Sequence, residues 1–168
     1  LTSGSDANEA AMAIARRYTG GYEVASPAVS FHGMNDSTRA VTFSGWHEGY
    51  GPYAPGNYPI FAPYKYRCSF CRERTACDFS CLNSSFELLD AQAAGQLAAV
   101  ITEPLFSAGG VIDLPEGWLQ ELKKKCEQRG AFSELVEEIK KIDKKLNFVL
   151  IISPGSQNKP QQKPSNKP

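Results

Sequence analysis

Helix-forming stretches alternate with short apolar runs through most of this chain, and that alternation narrows the possible folds more than any other feature. Ser3 is placed to cap a helix, Asp6 and Glu9 put negative charge in its first turn, and Ala10 to Ala15 are good helix formers, so a helix is expected over Asp6 to Arg17. Thr19-Gly20-Gly21 ends it, and Tyr22 to Ala25 reads as a short strand. Leu82, Phe86, Leu89 and Ala93 fall at amphipathic spacing within a helix predicted over Asp78 to Ala94, and Leu97 to Ile101 follows as a buried strand. Leu114-Pro115-Glu116 opens another helix, with Trp118, Leu119 and Leu122 on its apolar face, Lys123 to Lys125 on its solvated side and Gly130 as its stop. A helix over Ser133 to Lys145 and an apolar strand over Phe148 to Ile152 complete the pattern, and the strand is expected to fill a position in the sheet. A mostly parallel sheet with crossover helices, a three-layer α/β arrangement, produces this order.

The remaining segments set limits on partners. From Ser44 to Arg74, Gly, Pro and Tyr recur too closely for regular elements, which predicts a long ordered flap whose aromatic rings pack onto the body. Gln157 to Pro168 reads as a basic disordered tail. Eighteen basic and 18 acidic side chains give a net charge of zero, so no global field favours nucleic acid or a membrane surface. No apolar run approaches the length of a bilayer span, and a cytoplasmic location is the expectation. A chain that opens at Leu1 and enters its first motif two residues later reads as a fragment.

Four places carry chemistry. The pair Gly4-Ser5 just before Asp6 lets a phosphate approach a helix start, where unpaired amides and the positive end of the dipole favour an anion and the hydroxyl adds a donor. Phe31 offers an aromatic face to a flat ring, with His32 and Gly33 beside it, His32 being either a cofactor contact or a hydrogen-bonding loop residue. Glu103 follows a strand, where open α/β sheets place their ligands. Cys68, Cys71, Cys77 and Cys81 could close a tetrahedral zinc site, but five residues between the pairs is short for a zinc ribbon and Cys81 falls at a helix start. Reduced thiols packed in a loop, holding no metal, are therefore expected.

Taken in order, Ser-Gly-Ser-Asp-Ala-Asn-Glu-Ala-Ala from Ser3, Phe-His-Gly-Met from Phe31 and Glu-Pro followed by Gly109-Gly110 resemble the class III (fold-type I) pyridoxal-phosphate-dependent aminotransferases. Within that family the nearest resemblance is to dialkylglycine decarboxylase, and it covers about Leu1 to Gly130. The resemblance implies part of a fold-type I large domain, with Gly4 and Ser5 on the phosphate of pyridoxal 5'-phosphate, Phe31 on its ring and His32 and Glu103 in the surrounding wall. It also implies an amino or keto acid substrate and a dimer, either of this chain or with a full-length paralogue. The family continues into a strand ending in an Asp for the ring nitrogen and, later, the Schiff-base lysine; here Ala131-Phe132-Ser133-Glu134-Leu135 leads into a charged helix instead. Three parts are therefore expected: a partial cofactor-binding domain over 1–130, a divergent helix and strand over 131–153, and the tail over 154–168. Such a chain should not turn over substrate alone. A non-catalytic protein that pairs with a paralogue and a small zinc-stabilised binding module are the alternatives.

Overall fold

The computed structural model describes residues 2–45, 49–71 and 76–129, and the backbone alone of 149–152. The helix expected over Ser133 to Lys145, the tail, and Phe148 lie outside the described residues.

Helix α1 spans Gly4–Thr19 and starts two residues earlier than its charge pattern suggests, because Ser3 in extended conformation accepts the Asp6 amide on its side chain at 3.2 Å. At the other end Gly20, with φ 72°, returns its amide to the Arg16 carbonyl, a left-handed stop that favours glycine. The chain then turns directly into β1, Glu23–Pro27. Strands β1, β2 (Asn57–Ile60) and β3 (Leu97–Thr102) run parallel, and β6 (Val149–Ile152) adds antiparallel beside β3 in the order β2-β1-β3-β6. The apolar segment expected to enter the sheet thus does so at its edge. Helices α2 (Asp36–Arg39), α3 (Ser80–Gln92) and α4 (Trp118–Glu127) and a two-stranded hairpin, β4 (Leu105–Phe106) with β5 (Ile112–Asp113), make up the rest.

Every residue of β1 and β3 is buried, as a sheet covered on both faces requires. Met12 and Ala15 of α1 pack with Val24, Val41, Ala99 and Ile101 on one face. Leu82, Phe86 and Leu89 of α3 and Trp118, Leu122 and Cys126 of α4 pack with Ala25, Ile60, Leu97 and Val100 on the other. Leu97 and Val100 share a face despite their odd spacing because the register shifts between Glu23 and Val24, which passes over Ala98. Glu23, 4% exposed, is the costly group in this core: its Oε1 accepts from the Ala94 amide at 2.8 Å, the Gly95 amide at 3.2 Å and the Tyr58 hydroxyl at 3.2 Å, while Oε2 is buried with no partner among the described residues. Those bonds fix the turn that feeds β3.

Two expectations need correction. The flap expected over Ser44 to Arg74 contains β2 and a 3-10 turn over Lys65–Arg67. Pro59 is tolerated because β2 is an edge strand, bonded among the described residues only to β1, where a missing amide costs little. The helix expected from Leu114 begins at Trp118, because Pro115 belongs to the preceding turn and Gly117, φ 79°, reverses the backbone before the first helical residue.

Candidate active site

The connection between α1 and β1 is a tight turn, so α1 returns antiparallel and its N-terminus lies at the carboxyl edge of the sheet. Phe31, four residues past β1, and Glu103, immediately after β3, come from that same edge. Open α/β sheets bind ligands in the crevice outside these strand ends.

The helix start is open. Nothing lies within 4 Å of a side-chain carbon added at Gly4. Ser3 accepts the amides of Asp6 on its hydroxyl and of Ala7 on its carbonyl, which leaves Gly4 and Ser5 as the first-turn amides it does not satisfy. Asp6 is kept ionised, its acidity strengthened to a pKa of about 2 by hydrogen bonds from Thr2 first, then Ser3 and Asn35. Its carboxylate is occupied by the Thr2 hydroxyl at 2.7 Å.

The loop carrying Phe31 is laced to this helix start. Met34 donates its amide to Ser5 Oγ at 3.4 Å, Asn35 reaches Glu9 at 3.1 Å, and Asn8 donates to the His32 carbonyl at 2.7 Å. Gly33, φ 136°, makes the approach possible: a side-chain carbon there would stand 2.3 Å from Ser5 Oγ. Phe31 remains 37% exposed, with its amide donating to Glu103 Oε1 at 2.8 Å. Burial raises the Glu103 pKa, and the amides of Phe31 and Ser107 pull it back. Gly4, Ser5, Phe31 and Glu103 are therefore brought to one edge.

His32 is placed differently. Its ring is 2% exposed and turned inward, with Nε2 3.0 Å from Ser26 Oγ, which stands 2.6 Å from Ser30 Oγ. Its amide donates to Thr42 Oγ1 at 2.9 Å, and Thr42 in turn donates to the Thr38 carbonyl at 2.9 Å. The Nδ1 atom is buried with no hydrogen-bond partner among the described residues, and burial lowers the ring's pKa to about 3. A neutral imidazole that ties β1 to the Phe31 loop is what this geometry provides. Ser26, Ser30, Thr42 and Asn8 were missed in the sequence, which gives no periodic signal for them. Val29, φ 78°, was missed as well; its strained backbone turns the chain from β1 toward Phe31, and Gly109 leaves room for it, since a side-chain carbon there would stand 2.9 Å from Val29 Cγ2.

Residues 1–140 match the family described as Aminotransferase class-III. The chain belongs to the class-III aminotransferase family. An uncharacterized aminotransferase of Schizosaccharomyces pombe is 42% identical over 131 residues, covering 77% of this chain and 29% of that protein. The 4-aminobutyrate aminotransferase of Mycobacterium bovis is 33% identical over 130 residues, covering 75% of this chain and 29% of its own length. Among solved structures, an amine transaminase from an uncultivated Pseudomonas species in its PLP-bound form superposes with a TM-score of 0.71 at 30% identity, covering 77% of this chain and 31% of that one. The chain thus spans about 30% of the length of the class-III aminotransferases it matches, and its three-layer fold with a mostly parallel sheet is theirs.

A cofactor phosphate fits what these residues offer: an open helix start, a hydroxyl and a partly exposed aromatic face at one sheet edge. The four clustered cysteines, Cys68, Cys71, Cys77 and Cys81, lie apart from this constellation in a packing cluster of their own, and all are free thiols. No helix among the described residues is long and apolar enough to cross a membrane.

Proposed function

We propose that residues 1–130 form the phosphate-and-ring half of a pyridoxal 5'-phosphate site in a class-III aminotransferase, and that they do not carry out transamination by themselves. The convergence of the α1 start, Phe31 and Glu103 at one sheet edge is the observation that carries this reading. Gly4 and Ser5 would hold the phosphate, Phe31 would cover one face of the ring, and Glu103, held by the Phe31 amide, would form the wall beside it. His32 contributes through its backbone and its buried ring, which hold Phe31 in place. When bound, the cofactor supplies an electron sink for bonds at the amino-bearing carbon of an amino acid.

The protein's part is to bind and orient that ring. The lysines of α4 lie far along the chain from this edge, on a helix that packs by Trp118, Leu122 and Cys126 and leaves Lys123 and Lys125 half-buried and Lys124 exposed, so none of them is offered as the group that links the cofactor. The substrate is proposed to be an amino or keto acid, and the nearer resemblance to dialkylglycine decarboxylase belongs to the same proposal.

Equilibrium dialysis against pyridoxal phosphate and against pyridoxine phosphate, which lacks the aldehyde, tests the reading. Comparable saturable binding of the two is expected, and Ser5→Asp should weaken both by about tenfold or more, because it sets a carboxylate against the phosphate. Absence of saturable binding, or binding of the aldehyde form only, would overturn it. A second reading, association with a full-length paralogue, is supported by the exposure of Ile14 (61%) and Tyr18 (58%) on α1 with Tyr22 (53%) beyond it. Co-purification of a longer class-III subunit, lost in Ile14→Lys, is its expected result; a monomer at all concentrations would end it.

A further inference from the structure

The loop that leaves β2 after Ile60 carries little regular structure among its described residues. Through residue 79 the described residues contain one short 3-10 turn and no strand. It nevertheless has a buried centre: Cys68, Cys71 and Cys81 are 8%, 5% and 2% exposed and pack together, with Cys77 and Phe70 against them. The thiol of Cys68 is in hydrogen-bonding contact with those of Cys71 and Cys81, and that of Cys71 with Cys77. Four sulfurs drawn from 14 residues are thereby joined into one connected set. Cys71 also donates its thiol to Asp78 Oδ1 at 3.4 Å, just ahead of the first turn of α3.

Thiols are poor material for such a centre on their own. Each is a small side chain with a weak donor, and burying three with a fourth half-buried beside them gives little apolar area. The fifth cysteine shows the ordinary use of the residue here: Cys126 is alone, fully buried, and packed among Phe86, Trp118 and Leu122. By contrast, a soft cation converts four facing sulfurs into a rigid cross-link. The sequence objection that Cys81 sits in a helix start loses its force, because the first turn of α3 packs that residue into one cluster with Cys68 and Cys71.

We propose that Cys68, Cys71, Cys77 and Cys81 form a structural site for a thiophilic divalent cation of the zinc type, which pins the loop after β2 to the first turn of α3. As the side chains stand, no group of three or more potential ligands among the described residues is drawn to metal-binding spacing. Binding therefore pulls the sulfurs inward, to about 3.8 Å from one another for zinc-sulfur bonds of about 2.3 Å. Only Cys81 lies on a regular helix or strand, so the loop can make this adjustment. Support then passes inward, since Ser85 accepts the Phe61 amide at 2.8 Å while donating to the Cys81 carbonyl at 2.7 Å. The proposal is independent of cofactor binding at the other end of these motifs.

Metal content of the whole chain, purified reduced and without chelators, gives the first test, and cobalt titration of the same protein gives the second. Stoichiometric zinc and thiolate-to-cobalt charge-transfer bands with tetrahedral visible absorption are expected. Cys68→Ser and Cys71→Ser should each weaken zinc at least about 100-fold, whereas Cys126→Ser should leave it bound. No zinc after reconstitution together with no thiolate-cobalt bands in the unsubstituted chain would overturn the proposal. So would a mass showing the cysteines joined as disulfides under the same reducing conditions.

Discussion

Replacing Gly33 with alanine should lower the stability of the fold by about 2–5 kcal/mol, from backbone strain and overpacking together, and should abolish saturable phosphate binding. Gly33 stands at φ 136°, a conformation L side chains rarely adopt, and its missing side chain is the space into which Ser5 fits. An alanine carbon would meet Ser5 Oγ at 2.3 Å, Thr38 Oγ1 at 2.7 Å and Ser5 Cβ at 2.8 Å. Rotation of the Ser5 hydroxyl relieves only the first contact, so the loop or the α1 start has to move. Either shift breaks the Met34 bond to Ser5 and separates Phe31 from the phosphate turn. Urea midpoints of the single variant and of Gly33→Ala with Ser5→Gly separate the two causes. The double variant should regain the part due to crowding and keep the loss due to φ, and full recovery would show that backbone strain plays no part. A midpoint for Gly33→Ala within error of the unsubstituted chain would refute the packing argument.

Much of this architecture was legible because its elements obey simple periodicities. Leu82, Phe86 and Leu89 repeat at helical spacing and do face the sheet, and Leu97 to Ile101 is a continuous apolar run because β3 is covered on both sides. β2 was not legible, since Pro59 looks like a breaker until the strand is known to lie at an edge. Gly4, Ser5, Phe31 and Glu103 could be singled out as candidates because each lies at or near the end of an element. Their support could not. Ser26, Ser30 and Thr42 are common polar residues whose importance depends on three segments meeting around His32, and Val29 gives no sign in sequence of its positive φ. The cysteine cluster was equally hidden, because the packing of Cys68 with Cys81 depends on how the chain travels from β2 to α3. Local spacing reports what a residue can do, while the path of the chain decides which residues do it together.

That support network leads to the second large expected effect, a loss of stability in mild acid that originates at His32. The imidazole has its Nε2 on Ser26 and, among the described residues, no acceptor at Nδ1, and Ser26 is itself engaged with Ser30, so a second ring proton would be buried without a partner there. Burial accordingly holds the folded-state pKa near 3, whereas an unfolded histidine titrates at about 6.5. Above pH 6.5 both states carry a neutral ring and the full stability is present. As the pH falls below 6.5 the unfolded state takes up a proton that the folded state refuses, and unfolding becomes easier by about 1.4 kcal/mol per pH unit until the folded pKa is reached. By pH 4.5 the loss should be about 2–3 kcal/mol, a large part of the margin of an ordinary domain. Glu103 acts in the opposite sense, because its raised folded pKa adds stability as acid protonates it, and Asp6, with its lowered pKa, adds a loss only at still lower pH. Urea midpoints of the unsubstituted chain and of His32→Gln, taken at pH 7, 5.5 and 4.5, remove those shared contributions by subtraction. The gap between the two proteins should narrow steadily toward acid, because only one of them holds a ring that resists its proton; a gap that stays constant over this range would mean that His32 is solvated and that the Phe31 loop is held some other way.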